Sequence, residues 1–307
     1  LLRATLDATL LDAGIGAGVD QGKQLGAAAA AAMLAKRADD GSYADEAYQP
    51  GTRPGEYQFT PGFDFAAAPH WRAVTPFALR APDQFRIAPP PALTSAQYTA
   101  AFDEVKATGS IAADAQRSTD QTHYAAYWYE FSDIGWNRVA RAVARDKPQD
   151  LWQRARTFAL LNAAMADAYI AGWDSKFHYN FWRPVTAIRQ AADDGNPATI
   201  ADVTWAPLLV TPPVQDYPST HSALGAAAAT VLAHAFGSDR VSFTIASPSA
   251  LPAAPSRRFV SLSAAAKENA DSRVRGGLHF RFATTAGLQL GEQIGRQAAN
   301  GLLQPLN

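Results

Sequence analysis

The chain contains no cysteine, which excludes disulfides, thiolate metal sites and cysteine nucleophiles. It carries almost no net charge, -1 from 27 Lys and Arg against 28 Asp and Glu. That removes the electrostatic case for nucleic-acid binding, which needs a basic surface. Any anion site must therefore be a local cluster of positive groups. No run of 18 or more strongly apolar residues occurs, so no membrane span is expected. The nearest stretch, 25–35, is mostly alanine, is flanked by Lys23 and Lys36, and reads as a soluble helix. The chain opens at Leu1 without methionine, as a trimmed or processed chain would. What is present is 307 residues, 48% of them hydrophobic, enough for a full core.

The pattern predicts helix nearly throughout. Residues 21–38 are alanine-rich and end near Gly41. A helix over 95–108 follows Thr94 as N-cap and stops at Gly109. Ser118, Thr119, Asp120 and Gln121 read as a capping box opening a helix through Glu130. Another helix spans 136–145, ended by Pro148. The longest covers 150–176, where Leu151, Phe158, Asn162, Met165, Tyr169 and Trp173 form one stripe. Residues 222–236 are small and apolar almost all round, the mark of a buried helix. A helix over 284–300 closes the chain, and strand alternation is confined to a weak 241–245.

Residues 50–91 differ. Nine prolines there, from Pro50 to Pro91, prevent regular helix. The interleaved Phe59, Phe63, Phe65, Trp71 and Phe77 argue against disorder. The expectation is an ordered arm covering the helical body. With no repeat and no flexible linker, residues 1–307 read as a single all-α domain. An N-terminal helix and Pro-rich arm occupy 1–93, and the helical body 94–307.

Three segments carry chemistry. In the first, Lys176 and Arg183 lie seven apart on an aromatic-rich stretch. In a helix they would share a face, with Pro184 ending or kinking it. Such a pair needs an anionic partner if buried, although snorkelling or salt bridging explains it as well. In the second, Tyr217, Pro218, Ser219, Thr220 and His221 form a turn that opens the small-residue helix. Free N–H groups and hydroxyls at a helix N-terminus make an anion site. His221 in that first turn either packs or moves a proton near neutral pH. In the third, Arg273 offers a planar fork suited to tetrahedral oxyanions, and His279 follows six residues later.

In this order the segments resemble a known signature: Lys-x6-Arg-Pro, then Pro-Ser-Gly-His, then Ser-Arg-x5-His. It marks the superfamily of type-2 phosphatidic acid phosphatases and vanadium-dependent haloperoxidases. Here the pieces are Lys176 to Pro184, Pro218 to His221, and Ser272 to His279. The words Phe181-Trp182-Arg183-Pro184 and His279-Phe280-Arg281-Phe282 look like the soluble bacterial haloperoxidase branch. The resemblance implies an all-helical bundle with the anion in its core. It implies that Lys176, Arg183, Ser219, Thr220 and Arg273 hold vanadate, or phosphate in the same place. His279 would be the ligand to vanadium, or the nucleophile toward a phosphoester, and His221 the general acid/base.

Implied partners are hydrogen peroxide, a halide and a small organic acceptor, with no nucleic acid and no membrane span. A homo-oligomer is compatible with the family, as is a soluble periplasmic or secreted location. Halide oxidation is the expected activity. A soluble acid phosphatase and a degenerate oxyanion-binding protein are the alternatives. Two positions depart from the signature. Thr220 stands where the motif has glycine, and its Cβ is expected to crowd an anion oxygen unless its hydroxyl compensates. Ala283 stands where many members have an aspartate, which leaves His279 without a carboxylate four residues on.

Overall fold

The computed structural model describes residues 2–304, so Leu1 lies outside the described residues. The chain forms two compact units, Leu1–Tyr43 and Ala44–Asn307. The first holds α1 (Leu2–Ala13) and α2 (Ala17–Lys36). Helix α2 is built from strong helix formers, with Asp20 in its first turn and Lys36 in its last, as the helix dipole favours. No helix of the described residues is long and apolar enough to cross a membrane.

The second unit is helical apart from one hairpin. Its helices are α3 (Ala96–Thr108), α4 (Thr119–Tyr127), α5 (Ser132–Arg145), α6 (Leu151–Tyr179), α7 (Pro184–Arg189), α8 (Thr220–Ala235), α9 (Leu262–Arg275) and α10 (Arg281–Gly301). Strands β1 (Phe243–Ala246) and β2 (Ser256–Phe259) pair antiparallel, with Phe243 opposite Phe259. The all-α architecture is as expected. The weak strand signal was real, and the loop after it is the hairpin connection. β2 was not foreseen, because Ser256-Arg257-Arg258-Phe259 shows no apolar alternation.

Caps set several boundaries. Ser95, not Thr94, caps α3, accepting from the Tyr98 N–H at 3.2 Å. Ser118 and Gln121 do form a capping box, but α4 ends at Tyr127, short of Glu130. Asp150 and Gln153 form a second box that starts α6. The proposed stripe on α6 is offset from its buried face. Leu151 is 81% exposed, and Asn162 is exposed too. Of the stripe, Met165 is buried and Phe158 and Tyr169 pack against the core, while the buried face also takes in Leu160, Leu161, Ala164, Ala168, Ala171, Gly172 and Ser175. Small residues win there because α6 meets α8, itself largely alanine, at close range.

Helix α8 sits between α6, α9 and α10. The approach of α10 is closest, and glycine permits it. A Cβ on Gly287 or Gly291 would collide with the carbonyls of Ser219 and Ala223. This contact seats the N-terminus of α8 against the start of α10. The Ser219 N–H donating to the Ala283 carbonyl at 2.9 Å joins the two.

The arm is irregular except for a 3-10 turn at Pro69–Ala73. Its backbone groups bond to the body. The Tyr57 N–H donates to the Asn180 carbonyl at 2.8 Å, and the Ala67 N–H to Pro213 at 2.7 Å. The buried Asp167 carboxylate on α6 accepts from the N–H groups of Phe77, Ala78 and Leu79 at 2.6, 2.7 and 3.0 Å. Tyr57, Val74 and Leu79 of the arm are themselves buried.

Candidate active site

Three cations are withdrawn from water together. Lys176 is 0% exposed, Arg183 1% and Arg273 1%. Lys176 lies in the last turn of α6, and Arg273 in the last turn of α9. Arg183 sits elsewhere than its spacing suggested. Asn180 takes a left-handed conformation and ends α6, and Arg183 is the extended N-cap of α7. Pro184 therefore opens a helix rather than ending one. Proline suits a first helical position, and the residue before it prefers extended backbone. Lys176 and Arg183 meet by a chain reversal, not on a common helix face.

Main-chain carbonyls hold the cations in place. Lys176 Nζ donates to the Gln215 and Asp216 carbonyls at 2.5 and 3.1 Å. Arg183 Nε donates to Val214 at 2.6 Å and its Nη1 to Leu278 at 2.7 Å. Arg273 is different. Its guanidinium stands 5.8 Å from the Tyr129 ring centroid, and its buried Nε and Nη1 have no hydrogen-bond partner. Burial lowers the pKa of all three, most of all Lys176, which Arg183 depresses further. For Arg273, burial and then Arg183 bring it down to about 9.

Both histidines face this cluster. His221 is in the first turn of α8, and its Nε2 lies 2.9 Å from the Glu130 carbonyl. A carbonyl only accepts, so Nε2 carries the proton and Nδ1 the lone pair. His279 follows α9, and its N–H reaches the Arg273 carbonyl at 3.2 Å. His279 Nε2 lies 2.9 Å from Arg183 Nη1. Arginine only donates, so here Nε2 carries the lone pair. Burial holds both rings well below the usual histidine pKa, reinforced chiefly by Arg273 for His221 and by Arg183 for His279. Both are neutral at pH 7.

Ser219 is the N-cap of α8 and fully buried. Its Oγ accepts from the Ser222 N–H at 3.4 Å and the Ser222 hydroxyl at 3.0 Å, which leaves its own proton to give. Thr220, the first helical residue, has an N–H that the helix does not use. Its side chain is directed at a neighbouring helix. The methyl packs against α6 where Gly172 leaves a gap, and a Cβ there would lie 2.5 Å from Thr220 Cγ2. Beside the cluster in sequence, His178 is exposed and pairs with the Tyr179 ring, and Trp182 is wholly buried among apolar residues that include Tyr217 and Phe280.

Sequence reasoning missed one residue. Asp216 is 0% exposed, and its Oδ1 stands 2.9 Å from His279 Nδ1 and 4.0 Å from Arg183 Nη1. The contact to His279 is short but off-line, and neither carboxylate oxygen completes a hydrogen bond of normal geometry. Burial pushes this carboxyl up to about 7, against the pull of Arg183 and Lys176. The available signal was an aspartate just ahead of the Tyr217-Pro218-Ser219 turn, in a chain whose three cations lie in the flanking motifs.

Residues 156–307 match the family model of the VCPO second helical-bundle domain. A stretch of 174 residues is 35% identical to the vanadium chloroperoxidase of Curvularia inaequalis, covering 46% of this chain and 28% of that protein. Over these stretches the chain is similar to vanadium-dependent haloperoxidases. A bacterial vanadium-dependent iodoperoxidase superposes with TM-score 0.75 at 31% identity, over 88% of this chain and 65% of that one. A bacterial vanadium-dependent chloroperoxidase in its holo form gives TM-score 0.72 at 19% identity, over 87% and 69%. The chain thus spans under a third of the curated haloperoxidase and about two thirds of the bacterial one.

Proposed function

We propose that the second unit holds vanadate among Lys176, Arg183, Ser219, Thr220 and Arg273, and uses it with hydrogen peroxide to oxidise halide. One observation carries the reading. Three fully buried cations face one buried carboxylate, and two of the Arg273 donors have no partner. Uncompensated buried charge is costly, so the arrangement is built for an anion that brings negative charge and acceptor oxygens. A tetrahedral oxyanion supplies both. The donors fit it: the third Lys176 proton, the Ser219 hydroxyl, the Thr220 N–H at the positive end of α8, and the Arg273 fork.

His279 carries no proton on Nε2, whose lone pair accepts from Arg183 Nη1, and an oxyanion that took over this Arg183 donor would free that lone pair for a metal. Bound vanadate would supply a Lewis-acidic centre that activates peroxide toward a halide. His221 presents the other tautomer, with Nδ1 able to take a proton while Nε2–H stays on the Glu130 carbonyl. It acts as general acid/base. A small organic acceptor then traps the oxidised halogen.

The test pairs two assays on the full chain. With vanadate, peroxide and bromide or iodide, the protein should halogenate an activated diketone, and phosphate should inhibit by competing for the cage. Hydrolysis of a chromogenic phosphomonoester without vanadium, inhibited by vanadate, would contradict the proposal and assign His279 as a nucleophile instead.

A further inference from the structure

Where many members of the superfamily that the motifs resemble have an aspartate four residues after the second histidine, this chain has Ala283. The ring of His279 nonetheless faces a carboxylate. We propose that Asp216, contributed by the turn before α8, is the positioning residue that holds His279 in the tautomer with its proton on Nδ1 and its lone pair on Nε2. The inference rests on the vanadate reading above.

The geometry comes from both sides of the ring. Arg183 Nη1 at 2.9 Å donates to Nε2, so the proton of a neutral ring belongs on Nδ1. Asp216 Oδ1 stands 2.9 Å from that Nδ1. Of all the groups around the ring, the carboxylate is the one that pure charge balance and ring orientation would both use. The backbone places it there securely. The Asp216 N–H donates to the Phe181 carbonyl at 2.9 Å, and the Asp216 carbonyl accepts from Lys176. The Ser219 N–H donates to the Ala283 carbonyl at 2.9 Å, which docks the 216–219 turn beside position 283. The small, fully buried Ala283 leaves a single carboxylate at that junction. A metal-binding imidazole is commonly fixed through its other nitrogen in this way.

Charge balance and positioning predict opposite signs, so a substitution separates them. Asp216→Ala removes a negative charge from among three cations. If Asp216 only balances charge, phosphate and vanadate should both bind more tightly. If it positions His279, vanadate should bind about 10–100-fold more weakly, the usual cost of losing such a partner, while phosphate, which forms no bond to the ring, should bind as well or better. Calorimetric titration of each anion into the full chain reads this. Asp216→Asn keeps an acceptor oxygen and should retain most of the vanadate affinity.

A second readout needs no anion. In the 15N spectrum of ligand-free protein, His279 should show a protonated Nδ1 and a bare Nε2, and in Asp216→Ala the ring should populate both tautomers. Vanadate and phosphate affinities that rise together, or an unchanged His279 spectrum in Asp216→Ala, would overturn the inference. A wild-type protein with no preference for vanadate would contradict the haloperoxidase reading instead, and the spectrum alone would then decide the role of Asp216.

Discussion

His279 has a charged neighbour at each ring nitrogen, the Arg183 donor on one side and the close but off-line Asp216 carboxylate on the other, whereas His221 is held at one, by the Glu130 carbonyl. Both rings are neutral, His279 buried and His221 half-buried. The difference is which lone pair is left and what surrounds it. His279 presents Nε2 beside a guanidinium, in the buried turn between α9 and α10. His221 presents Nδ1 on the first turn of α8, with one anchor. A ring flanked on both sides suits a bond to a metal, and a ring with one free nitrogen suits proton traffic.

The largest effect should come from breaking the fixed end. His279→Ala should abolish halide oxidation and weaken vanadate binding without removing phosphate binding, because the cationic cage survives. Turnover and calorimetry on one preparation check this, and a variant that still oxidises halide would end the assignment. His221→Ala should leave vanadate affinity nearly intact and slow turnover by about 10²–10⁴. If the two variants share one modest defect, the contrast between the rings is wrong.

A smaller effect should follow from displacing the His221 end alone. Gly172→Ala would set a Cβ 2.5 Å from Thr220 Cγ2, and overpacking of this kind costs about 1–3 kcal/mol. Thr220→Ser in that background removes the obstructing methyl and should restore stability in denaturant unfolding. Vanadate affinity should change less than turnover in Gly172→Ala. Failure of Thr220→Ser to restore stability would show that the methyl does not sit against α6.

Much of this was legible before any coordinates. The ordered motifs named Lys176, Arg183, Ser219, His221, Arg273 and His279 because each residue type is tied to oxyanion chemistry at a set spacing. How they meet was less legible. Periodicity put Lys176 and Arg183 on one helix, but Asn180 and Pro184 break the chain between them. The stripe of large residues on α6 located only part of the buried face, Met165 with Phe158 and Tyr169 beside it, because close helix packing also buries small residues that the stripe left out. Asp216 escaped notice because its partner is 63 positions away, and pairing across that distance is a property of the packed α8–α10 junction. The seat of the Thr220 methyl escaped notice because Gly172 lies on another helix.

The smallest expected effect is on stability with pH. The native pKa of His221 and His279 is depressed from the ordinary 6.5. As pH falls below 6.5, the unfolded chain takes up protons that the native rings refuse, so stability falls on the acid side. Asp216 opposes this. Its native value near 7 lies above the ordinary 3.8, so its contribution is present at low pH and is lost as pH rises through 7. His221→Ala removes one of the two refusing rings. Its stability should therefore decline less steeply as pH falls below 6.5. Urea unfolding of both proteins across that range checks the slope, and parallel curves would show that His221 is charged in the native state.

The central claim is that three buried cations hold an oxyanion against His279, and the most direct test is a crystal structure of the full chain grown with orthovanadate. The account predicts vanadium bonded to His279 Nε2, with its oxygens on Lys176, Arg183, Ser219 and Arg273 and with His221 beside it. Vanadium found only at the surface, with His279 Nε2 still on Arg183 and the Arg273 donors still unpaired, would contradict it.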